Sequence, residues 1–187
     1  MKSQVYFPSV PFDTEKGEIY WQNNIKGYED EILMRSSLPF YLSLYLDDKE
    51  VMIEDNVNHT IESFCLQGLL DLYHHQNSIS NYYESDCYIR MTIEDEFIYI
   101  SGNDLWNESD DDELVEAYVE KALFMKDLYI CATSYLTYLK EILDYFKRES
   151  NTNKQTILNL TDMVWRVEKL LTEVVHAKIP ALNILTK

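Results

Sequence analysis

Residues 40–46 alternate strictly. Phe40, Leu42, Leu44 and Leu46 fall on one face and Tyr41, Ser43 and Tyr45 on the other, the period of a half-buried strand. Asp47, Asp48 and Lys49 make a polar turn, and 50–54 returns as a partner strand with Val51 and Ile53 on one face. The same logic predicts a second hairpin. Cys87, Ile89, Met91 and Ile93 alternate with Tyr88, Arg90, Thr92 and Glu94; Asp95 and Glu96 turn; 97–101 returns, and Gly102-Asn103 ends it. A short strand is expected near Tyr20-Trp21, and Pro8 and Pro11 forbid an early helix.

Period 3.6 appears in three places. Over 63–75, Phe64, Leu66, Leu69, Leu70 and Tyr73 recur at near-helical spacing behind Ser63 as N-cap. Gly68 weakens that helix by about 1 kcal/mol against Ala, and the polar stretch 76–85 reads as a loop. A long helix is predicted from about Asp111 to Arg148. Its main apolar sector holds Leu114, Tyr118, Phe124, Leu128, Tyr135, Leu139, Ile142 and Phe146, and a second strip holds Val115, Val119, Leu123 and Ile130. Two apolar strips predict packing on both sides, one against the sheet and one against a helix. Ser150–Asn153 breaks the pattern. A last helix follows from about Gln155 to Lys178, with Leu160, Val164, Val167, Leu171, Val174 and Val175 along one side, stopped before Pro180.

The expected fold class is therefore α+β: N-terminal antiparallel hairpins with one helix, then a long C-terminal antiparallel helical hairpin. With no repeat and no low-complexity linker, one domain is expected over 1–187, strand-rich over 1–103 and helical over 109–179. Composition fits an ordered chain, 46% hydrophobic and 13% aromatic. Three widely spaced cysteines, Cys65, Cys87 and Cys131, read as buried reduced thiols of a cytoplasmic protein. No leader of signal-peptide type and no apolar run of membrane-spanning length is expected.

Charge changes the picture. The chain carries −17, and residues 84–120 alone hold thirteen acids against Arg90. Residues 121–187 lean basic, with ten Lys or Arg against seven acids. A field of this sign repels nucleic acid and anionic membranes and steers cationic partners. The candidate partner-binding residues are Asp104, Trp106, Glu108, Asp110, Asp111, Asp112, Glu113, Glu116 and Glu120, with Tyr88 and Tyr99 on the neighbouring hairpin. Tyr and Trp are the side chains that anchor interfaces. Trp106 has two readings, an anchor among the acids or a core residue under the loop. The acids have plainer readings too: two or three favour the positive end of a helix starting near Ser109 or Asp110, and a charged surface aids solubility.

Catalytic chemistry finds little support. Four glycines, at 17, 27, 68 and 102, build no phosphate loop or dinucleotide fingerprint, and there is no Gly-x-Ser-x-Gly or His-Glu-x-x-His. Asp104–Glu116 lacks the glycine and the alternation of a calcium loop. His74-His75 are adjacent, so they do not face one ligand together on a helix; a place at the negative end of a helix suits them. No cofactor and no metal is expected, and the oligomeric state is left open.

In outline the chain resembles the immunity proteins of bacterial contact-dependent growth inhibition and related polymorphic toxin systems. The likeness lies in small size, strong acidity, and a strand-rich half joined to a helical half. The resemblance implies a non-enzymatic antitoxin that binds the toxin domain of a cognate effector, often a nuclease, and covers its substrate groove. Two other readings stand beside it: a nucleic-acid mimic that inhibits a DNA-binding or defence protein, and a metal-dependent hydrolase using clustered carboxylates.

Overall fold

Leu42, Leu44 and Leu46 are buried, as their alternation requires, on strand β2 (Leu42–Leu46) of a three-stranded antiparallel sheet. Strand β1 (Ser3–Tyr6) pairs with one side of β2, Ser3 opposite Leu46; β3 (Lys49–Ile53) pairs with the other, Leu42 opposite Ile53. The computed structural model describes residues 3–6, 29–35, 38, 42–46, 49–53, 56–81, 88–103 and 114–182. The strand expected near Tyr20-Trp21, the breaks at Pro8 and Pro11, Phe40 and Cys87 lie outside the described residues. Helix α1 (Glu29–Arg35) is an element the alternation did not suggest. It is short, and it is held from outside: Asn159 donates to the carbonyls of Ile32 and Leu33 at 3.1 and 3.2 Å.

The expected helix over 63–75 starts earlier and is not uniform. It opens as α2 (Val57–Thr60), capped by Asn56, whose side chain accepts from the His59 N–H at 3.2 Å. Ser63 is therefore not the cap. The chain passes through a π-helical segment, Ile61–Gln67, into α3 (Gly68–His75). The wider π turn brings Ile61, Phe64, Cys65 and Leu66 to the core side together. His74 and His75 occupy the last turn of α3, and Gln76, at φ 61°, ends the helix in the left-handed region.

A four-stranded antiparallel sheet follows, in the order β4-β5-β6-β7. The predicted hairpin is β5 (Tyr88–Glu94) and β6 (Phe97–Asn103), joined by Asp95-Glu96 with Asp95 at φ 55°, a conformation Asp tolerates better than most residues. The two outer strands are corrections. The expected loop 76–85 contains β4 (Asn77–Asn81). Its polarity is inverted: Ser78 and Ser80 are buried and Ile79 is exposed, so hydrophobic patterning had nothing to report. The first turns of the expected long helix are β7 (Leu114–Glu120). That segment satisfies both periods, and pairing with β6 decides between them, with Ile98 opposite Val119 and Ile100 opposite Ala117.

The long helix is α4 (Lys121–Arg148), beginning ten residues later than expected. Phe124, Leu128, Tyr135, Leu139, Ile142 and Phe146 are buried along it, as the main apolar sector predicts. The second strip does not pack as expected, because its helical part, Leu123 and Ile130, is 48% and 41% exposed. Helix α5 (Lys154–Ala177) lies along α4, with Leu160, Val164, Val167, Leu171 and Val174 buried; Val175 is exposed. Asn153 caps α5 through the Gln155 N–H, while its own N–H donates to Glu29 at 2.8 Å. Lys178, left-handed at φ 51°, ends α5 before a 3-10 turn, Pro180–Leu182. The fold is α+β, with a shared core of both sheets and the helices. Among the described residues no helix is long and apolar enough to cross a membrane.

Candidate partner-binding face

The four-stranded sheet has two unlike sides. Ile89, Met91, Ile98, Ile100 and Val119 are buried against the helices. The alternate residues line the other side: Ile79 on β4; Tyr88, Arg90, Thr92 and Glu94 on β5; Phe97, Tyr99 and Ser101 on β6; Glu116, Tyr118 and Glu120 on β7. Ile79, Phe97 and Tyr118 are 49%, 45% and 44% exposed. A solvated sheet face is ordinarily polar; here large apolar and aromatic groups stand on it beside carboxylates.

Thr92, Tyr99 and Tyr118 form one cross-strand row, and Arg90, Ser101 and Glu116 the next. Tyr99 and Tyr118 are direct partners, with ring centroids 5.0 Å apart and planes inclined by 38°. Tyr99 donates to Glu116 Oε1 at 2.9 Å. The carboxylate that acts most on Tyr118 is Glu94, on β5. The bond to Glu116 holds the Tyr99 phenol above its ordinary titration range, and the Glu94 charge does the same to Tyr118. Among the described residues, three carboxylates, Glu94, Glu116 and Glu120, share this face with one guanidinium, Arg90, which sits 5.9 Å from the centre of the Tyr88 ring. Lys121 lies beyond the end of β7, where its N–H donates to the Glu96 carbonyl at 3.0 Å and its ammonium pairs with Glu96 at 3.8 Å.

Of the residues expected to bind a partner, Tyr88, Tyr99, Glu116 and Glu120 therefore sit on one face. Tyr99 and Glu116 are in contact. Tyr88 is four residues along β5 from Thr92, the partner of Tyr99, roughly 13 Å away at strand rise. Asp104, Trp106, Glu108, Asp110, Asp111, Asp112 and Glu113 lie outside the described residues. By connectivity they join β6 to β7, and that connection leaves and returns at the paired residues Asn103 and Leu114. Glu116 and Glu120 were expected on the first turns of a helix. They are on a strand. Glu120 also stands at the N-cap of α4, without a side-chain cap bond, and the first turn itself contains no acid, so helix-end electrostatics bears on Glu120 and does not account for Glu116.

Tyr118 and Glu94 are the residues the sequence reading missed. Helical periodicity puts Tyr118 on the apolar sector of the long helix; the period-2 match of Glu116, Tyr118 and Glu120 is the signal that marks it as strand.

A second polar cluster lies inside the helical layer. Tyr135 donates to Asn58 Oδ1 at 3.2 Å, the Asn58 amide donates to Glu62, and Glu62 pairs with Arg166 at 3.3 Å, which also pairs with Asp162. Burial raises the Glu62 carboxyl above its ordinary range, while Arg166 pulls it back down. This network joins the π segment to α4 and α5 and reads as a structural tie. Cys65 and Cys131 are free and buried, and burial pushes the Cys65 thiol up, the opposite of what an activated thiol needs. Among the described residues no group of three ligating side chains forms a metal site. No protein-family model, curated protein or solved structure matches this chain.

Proposed function

We propose that this protein is a non-enzymatic cytoplasmic inhibitor that binds a basic partner, a toxin domain of nuclease type, through one acidic and aromatic face. The observation that supports the reading is the outer side of the β4–β7 sheet. It carries exposed Ile79, Phe97 and Tyr118 among Glu94, Glu116 and Glu120, and the chain between its last two strands is the acidic run 104–113. Carboxylates steer a basic surface in, and desolvated aromatics then supply the affinity. Inhibition follows if the face covers the groove with which the partner holds nucleic acid.

The test compares the wild type with the triple reversal Asp110→Lys, Asp111→Lys, Asp112→Lys. Each is used to capture partners from the host, and the captured protein is purified and its affinity measured by calorimetry at several salt concentrations. A partner of high isoelectric point, bound less tightly as salt rises and lost by the reversal, is expected. Equal, salt-independent binding by both proteins would sink the reading.

A further inference from the structure

We propose that Tyr99 and Tyr118, flanked by Glu94 and Glu116, form an anchor site for a single arginine side chain of the basic partner. The inference rests on the function proposed above and specifies its chemistry.

The rings come first. Two phenols stand side by side on a solvated sheet face, 5.0 Å apart, and Tyr118 is 44% exposed. The Tyr99 hydroxyl is committed to Glu116, which holds that ring in place, and the Glu94 charge favours the neutral phenol of Tyr118. The exposed π-face of the pair attracts a cation, more often Arg than Lys.

The carboxylates come next. Glu116 accepts one phenol hydrogen bond and keeps further lone pairs, since a carboxylate has about four acceptor sites; Glu94 is a second carboxylate of the same kind. Glu116 lies on β7 and Glu94 on β5, so the two acids lie to either side of β6, which carries Tyr99. A guanidinium is planar, stacks on aromatic rings and bonds carboxylates in a fork, whereas an ammonium is a strongly hydrated point charge. The arrangement therefore favours arginine over lysine of equal charge. Phe97, two residues from Tyr99 on β6 and exposed on the same face, supplies apolar surface that excludes water around the contact. Arg90 does not take the place itself: it is opposite Ser101, with Glu116 one strand further, and it lies over Tyr88.

The full chain, labelled with 13C at tyrosine, is titrated by NMR with two short acetylated peptides, Gly-Arg-Gly-Arg-Gly and Gly-Lys-Gly-Lys-Gly. Saturable shifts of the Tyr99 and Tyr118 ring signals are expected, with the arginine peptide bound about two- to five-fold more tightly, as an exposed cation–aromatic contact allows. Tyr118→Leu is expected to abolish that preference and Tyr118→Phe to keep most of it. Glu116→Gln weakens both peptides. Equal binding of the two peptides, or an arginine preference unchanged in Tyr118→Leu, overturns the anchor. Should Tyr118→Leu fail to fold, Tyr99→Leu carries the same comparison. The wider reading fails elsewhere, in the partner's salt dependence and its response to the Asp110–Asp112 reversal. A partner that obeys those while the peptides leave both tyrosines unmoved refutes the arginine site alone.

Discussion

Tyr99 and Tyr118 are direct partners across the β6–β7 ladder, with ring centroids 5.0 Å apart, and the Tyr99 hydroxyl donates to Glu116 on β7. The pair ties β6 to β7 on the open face of the sheet. Its tyrosines belong to two segments that the sequence assigns to different kinds of element, and only strand pairing brings them together.

Both phenols should titrate above the ordinary tyrosine value of 10.0. A deprotonated phenol would sit beside a carboxylate, so the neutral form is favoured. Glu116→Gln should bring Tyr99 back toward 10.0 while Tyr118, held mainly by Glu94, moves little; Glu94→Gln should do the converse. Site-resolved 13C shifts of the ring carbons between pH 8 and 12 measure this. Unchanged midpoints in both variants would contradict the pairing.

Glu62 gives stability a pH dependence of definite sign. Its folded carboxyl is raised above the ordinary 4.5, with burial the largest cause. Between 4.5 and the folded value the native state therefore holds more proton than the unfolded chain. The contribution is complete below 4.5 and is lost as pH rises through the folded value. Glu62→Gln removes it. Urea unfolding at pH 4.5, 5.5 and 7 should show wild type gaining on the variant as pH falls. A constant difference between the two proteins would refute the assignment.

Tyr135→Phe should lower stability by about 1–2 kcal/mol, the usual cost of a buried acceptor losing its donor, since the hydroxyl donates to buried Asn58 at 3.2 Å. Asn58→Leu should cost more, because it strips a partner from both Tyr135 and Glu62. Chemical denaturation of the two single variants orders them.

Gly102→Ala should destabilise by about 1–3 kcal/mol, the range for forcing an extra carbon into a packed site. A Cβ there would stand 2.4 Å from the Tyr88 carbonyl oxygen and 3.3 Å from the Ile89 backbone, and backbone cannot yield as a flexible side chain can. Gly68→Ala is the contrast. Its closest obstacle is the Met91 terminal methyl at 2.8 Å, which can rotate away, and Ala is the better helix former. Thermal melting should show the Gly102 variant far below the Gly68 variant.

The legible parts of the fold were those with one unambiguous period. Strands β2, β3, β5 and β6 alternate over five to seven residues. Helices α4 and α5 keep a 3.6-residue apolar stripe across 28 and 24 residues, long enough that local exceptions do not matter. The candidate face was legible in charge and partly in residues: Tyr88, Tyr99, Glu116 and Glu120 share it. Tyr118, Glu94 and the exposed Phe97 and Ile79 were not legible as members, because membership depends on which strands are neighbours.

Sequence alone determined the hairpin Tyr88–Asn103, the paired long helices and a negative charge concentrated in 84–120. These follow from local periodicity and from counting, which need no knowledge of distant residues. Tertiary structure decided the two outer strands of the four-stranded sheet. Asn77–Asn81 has no apolar alternation to read, and small buried serines fill its inner side. Residues 114–120 suit a helix and a strand alike, and hydrogen bonding to Phe97–Asn103 settles the matter. Backbone pairing with a strand remote in sequence is a non-local term, larger than the small propensity difference between the two local conformations. That choice turned Glu116, Tyr118 and Glu120 from helix residues into the outward residues of one strand of the candidate face.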